Sequence, residues 1–130
     1  MFWSRKQPAQ PAREPHPDPI IEAQLRHIDT LEAHVASRLG QIAEHRADIN
    51  QLGQLNASFS QRAAGTGYYH INQQCNQQIC NNDDRIRQLQ KAIRQLEADN
   101  NLDHQTIIGI RQTIQAAVEN LVFRPLQGNP

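Results

Sequence analysis

Every seventh residue from position 79 reads Ile79, Ile86, Ile93, Asn100, Ile107, Ile114 and Leu121. All but Asn100 are branched aliphatics. Three residues beyond the first six stand Asn82, Leu89, Leu96, Asp103, Ile110 and Ala117. A helix turns once per 3.6 residues, so positions alternating by three and four share one face. Held in phase this long, the pattern predicts a coiled-coil helix that must lay its stripe against another helix. Little competes with that outcome: 130 residues carry only three Phe, two Tyr and one Trp, too few for a large globular core. At that length one domain is the expectation.

A second stripe precedes the first. Ile21, Ile28, Val35, Ile42, Ile49 and Asn56 recur at seven, accompanied by Gln24, Leu31, Arg38, His45, Leu52 and Phe59. Leu25 and Leu39 widen it on one side. Asp18-Pro19 is a start signal, a carboxylate able to accept from free N–H groups followed by Pro at the first helical position. Gly40 and Gly53 each weaken a helix by about 1 kcal/mol relative to Ala. The phase survives both, which predicts one helix over 20–59. Ser60 to Gly67 breaks the pattern and is the predicted turn, with Gly65 and Gly67 supplying conformational freedom. The second helix is predicted over 68–123. Arg124-Pro125 should stop it and leave 124–130 as a tail. Asn81 to Asp84 and Asp99 to Asp103 are rich in capping residues, and either run would suit a bundle of shorter helices. Unbroken heptad phase through both favours a continuous helix. Residues 1–19, Pro-rich from position 7, should form an extended arm.

A short turn between long helices makes them antiparallel neighbours. Folding about 63–64 sets Ile49 near Ile79, Ile42 near Ile86, Val35 near Ile93, Ile28 near Asn100 and Ile21 near Ile107. A parallel multimer of two separate coils is the alternative. In the hairpin the second helix outruns the first, so an apolar overhang is expected. Its interface residues are Ile107, Ile108, Ile110, Ile114, Val118, Leu121, Val122 and Phe123. One seam buries too little to order so long a chain, so self-association or a larger protein partner is expected.

Thirteen Lys and Arg balance thirteen Asp and Glu, so nothing in the net charge steers the chain toward nucleic acid or an anionic membrane. Arg85, Arg87, Lys91 and Arg94 form a basic cluster, but Asp83, Asp84, Glu97 and Asp99 bracket it and no aromatics interleave. Nucleic-acid binding is the weakest class. No apolar run is long enough to span a bilayer. Phe2 and Trp3 precede the first charges, the reverse of a signal peptide. They are candidates for arm docking on a partner. The expected location is the cytoplasm or a protein assembly.

Cys75 and Cys80, five apart, point to different faces of a helix and form no CxxC motif. No His pair has the i, i+3 or i+4 spacing of a helical metal site, so no metal or other cofactor is expected. His27, His34, Arg38 and His45 share a stripe. His45 at a core position makes pH sensing the sharper reading and a polar flank the plainer one. Asn82, Asn100 and Asp103 fall on the seam, where polar groups fix register and partner number at a cost in stability. No phosphate loop, nucleophile elbow or paired carboxylates appear. The pattern thus points to a non-enzymatic, all-α structural or adaptor protein, an oligomeric antiparallel coiled-coil hairpin. It would work in a cellular scaffold or as a virion component. A regulator gripping a partner's helix through 107–123 is the second class.

Overall fold

The computed structural model describes residues 13–127, with side chains described through Asn120. Two helices, α1 (Pro19–Gly65) and α2 (Tyr69–Gln127), pack against each other as a hairpin. Asp18 caps α1 as its sequence position requires. One carboxylate oxygen accepts from the N–H groups of Ile20 at 2.8 Å and Ile21 at 3.3 Å.

Both helices are longer than the sequence pattern suggests. α1 runs through Ser60 to Gly65, because Ala63 and Ala64 sustain the ladder and Ala63 is buried. The connection shrinks to Thr66, Gly67 and Tyr68. No glycine among the described residues has positive φ, so the turn does not use the freedom expected of Gly65 and Gly67. Side chains close it instead. Thr66 Oγ1 accepts from the Tyr68 N–H at 3.1 Å, and the Asn72 amide donates to the Ala63 carbonyl at 3.1 Å. That second bond satisfies one of the carbonyls left free at a helix end. At the other end α2 continues past Arg124-Pro125 to Gln127. A proline so near the end removes a single ladder bond.

The cap-rich runs do not interrupt α2 because their side chains are engaged elsewhere. Asn82 and Asp83 bond to Asn56 across the seam, Asp99 accepts from Gln95, and Asp103 holds Arg38. None of them is left to compete for its own backbone.

Burial follows the heptads. Ile21, Ile28, Val35, Ile42, Cys75, Leu89, Ile93, Asn100 and Ile107 are buried, and the remaining named seam positions through Ala117 are half-buried. Gly40 and Gly53 lie on exposed surface, with nothing near where a Cβ would sit. No helix among the described residues is long and apolar enough to cross a membrane.

The register differs from folding about 63–64. Arg38 reaches Asn100 and Asp103, and Asn56 pairs with Asn82. The reason lies in how heptads mesh when one helix runs backwards. From the first-series position the next seam residue is three along and the one before it is four back. Two such positions set opposite each other therefore fall out of step at the next layer. Opposing a first-series residue to a companion residue keeps every layer level. Asn56 with Asn82 and Arg38 with Asn100 both obey that rule, and the same count brings Ile49 to Leu89 and Ile28 to Ile110.

Candidate functional site

Two polar layers interrupt the apolar seam. In the middle, the Arg38 guanidinium donates to Asp103 at 2.5 Å and to the Asn100 carbonyl oxygen at 3.4 Å. Asn100 is 5 % exposed, the only buried polar side chain among the described residues. Nearer the turn, Asn56 donates to Asp83 at 2.9 Å and accepts from Asn82 at 2.9 Å. All three residues expected on the seam, Asn82, Asn100 and Asp103, thus meet a partner on α1. Arg38 and Asn56 are the partners that sequence reading did not assign. Their signal was available: each is polar at a heptad position, where a polar group on the facing helix is favoured.

A third polar cluster sits where the chain enters α1. Arg13 donates to Glu22 at 2.7 Å and to Asp29 at 3.1 Å, two turns further along the helix. The His16 backbone N–H donates to Glu22 at 2.8 Å and Arg26 adds a bond at 2.8 Å. Residues 13–16 therefore lie back along α1. Arg13, then the His16 N–H and Arg26, hold the Glu22 carboxyl down at about 2, against an ordinary value of 4.5. These bonds favour the charged form. Of the expected arm, residues 1–12, including Phe2 and Trp3, lie outside the described residues.

Part of the face expected to overhang lies alongside α1 instead. Arg111 reaches Glu32 at 3.2 Å, well inside α1. Ile107 is 3 % exposed, and Ile110 and Ile114 are half-buried. Sliding to the meshing register and lengthening α1 at its turn end both carry α1 alongside them. Ile108 and Val118 remain open, at 55 % and 38 % exposed. The side chains of Leu121, Val122 and Phe123 lie outside the described residues.

The seam has one edge with an ordered composition. Two shallow grooves run along it and share Leu39 and His104. The first is closed off by Glu32 and Arg111, the second by Arg46 and Glu97. Each of these is an ion pair across the seam, at 3.2 Å in both cases. Leu39 stands between them, 56 % exposed.

No family model, curated protein or solved structure matches the chain. The functional reading therefore rests on the rod itself.

The remaining sequence candidates are dispersed. His27 and His34 are exposed while His45 is half-buried in the seam with Nδ1 unbonded, so the four-residue stripe is not one site. Cys75 is buried and Cys80 exposed, both as free thiols. Among the described residues no group of three His, Cys, Asp or Glu is placed to hold a metal ion. Arg85, Arg87, Lys91 and Arg94 are all exposed, with Arg87 paired to Asp84.

Proposed function

We propose that the chain is a non-enzymatic coiled-coil structural or adaptor protein that self-associates or docks on a larger protein assembly. One observation carries the reading. Burial is confined to a single line between two helices, while Leu39, Leu102, Ile108 and Val118 stay open on the flanks. A layer two helices thick leaves each helix with one face covered, and apolar residues left on the others mark surface for further packing. The polar layers suit such a role. Arg38 with Asn100 and Asp103, and Asn56 with Asn82, reward one alignment of the helices and penalise slipped ones.

Sedimentation at micromolar concentration tests the proposal. A species heavier than 14.8 kDa is the expected outcome. A fully helical monomer across that range overturns self-association and leaves docking on a larger assembly as the reading. The regulatory alternative, a grip on a partner helix through 107–123, loses ground because Ile107, Ile110 and Ile114 are already engaged toward α1.

A further inference from the structure

We propose that the edge centred on Leu39 and His104 is the docking surface for a second copy of this chain, with Leu39 on the two-fold axis. The inference rests on the self-association just proposed and names its surface. Along α1 this edge reads Glu32, Leu39, Arg46, and along α2 it reads Arg111, His104, Glu97. The charges alternate both along each helix and across the seam. A half-turn about an axis crossing both helices at the level of Leu39 sends Glu32 onto Arg46 of the second copy. It sends Arg111 onto the second copy's Glu97, and Leu39 onto itself. Every charge thus meets its opposite, as a self-complementary two-fold interface requires. The four ion-pair residues already stand in order, so the second copy extends two pairs into two four-membered networks.

Shape agrees with charge. Ala36 lines the groove beside Leu39, and Ala43 occupies the equivalent position one heptad on; both are exposed. Small residues on either side of an exposed Leu let a second α1 approach closely. Ile108 lies on the same side of α2 and is 55 % exposed. The opposite edge of α1, with His34, Gln41 and Asp48, has no such alternation. A surface of one sign, such as nucleic acid or an anionic membrane, would meet as many repulsive as attractive charges here. A copy of the same edge meets none.

The test compares the wild-type chain, Leu39→Asp and, as a control on the other edge, Leu55→Asp. Sedimentation equilibrium supplies the mass and circular dichroism the helix content. The wild type and Leu55→Asp should form dimers, and Leu39→Asp should raise the dimer dissociation constant at least tenfold with its helix content in the monomer kept. Because Cys80 is exposed, a second variant combines Leu39→Cys with Cys80→Ser. Under mild oxidation it should form a disulfide-linked dimer that reductant dissolves. A wild-type dimer that Leu39→Asp leaves intact, or a Leu39→Cys chain that fails to cross-link, overturns this interface and leaves self-association standing. A monomeric wild type overturns both.

Discussion

Arg38 on α1 reaches Asp103 on α2 at 2.5 Å, and both side chains are withdrawn to about a fifth of full exposure, 24 % and 18 %. A pair so placed is hydrogen-bonded and charged within a mainly apolar line. Its removal is therefore not equivalent to its replacement. Arg38→Ala leaves Asp103 without a donor and should cost about 1–3 kcal/mol. Arg38→Leu combined with Asp103→Leu should recover most of that loss or exceed it. Urea unfolding at one fixed chain concentration checks both.

Asn100 is deeply buried, and its one cross-seam bond is long, at 3.4 Å. Asn100→Ile should raise stability by about 1–2 kcal/mol, since an amide poorly paired in an apolar seam costs that much. It should also loosen alignment. Spin labels placed one on each helix should then show a broader distance distribution. A single unchanged distance would remove Asn100 from any role in register.

Gly40 and Gly53 sit on the helix exterior with open space where a Cβ would stand. Gly40→Ala and Gly53→Ala should each stabilise α1 by about 1 kcal/mol. Thermal unfolding of the two single variants and the pair should give shifts that add.

Glu22 titrates at about 2 when folded, well below the 4.5 of a free carboxyl. The folded state thus binds its proton less readily than the unfolded chain does. The clasp's contribution to stability is fully present above about 4.5 and is lost as pH falls through about 2. A carboxyl NMR titration should place Glu22 below the other glutamates. Arg13→Ala should move it back toward the ordinary value.

The helices were legible because their signal is redundant. Ile21 to Ile49 and Ile79 to Ile114 repeat the same information at every second turn, and no single exception such as Asn100 erases it. The alignment of one helix on the other was less so. It depends on which heptad position meshes with which, and the apolar series reads alike from either choice. Only Asn56 and Arg38, facing Asn82 and Asn100, mark the true offset. The helix ends were missed for a local reason. Ala63, Ala64 and Pro125 each allow continuation or termination, and packing decides. The Arg13 clasp escaped because an arginine in a Pro-rich arm has many carboxylates in reach, and sequence does not rank them.

The three-residue turn at Thr66 to Tyr68 sends the chain back the way it came. The start of α1 and the end of α2 therefore share one pole, and the exposed Tyr68 and Tyr69 stand at the other. With 47 residues in α1 and 59 in α2, the start of α1 lies about 70 Å and the end of α2 about 90 Å from the turn. Whatever anchors the molecule near either terminus holds that tyrosine pair out at a fixed reach. Deleting seven residues from each helix at matched levels would shorten the reach by about 10 Å and keep the layers level, as sections are taken from a mast.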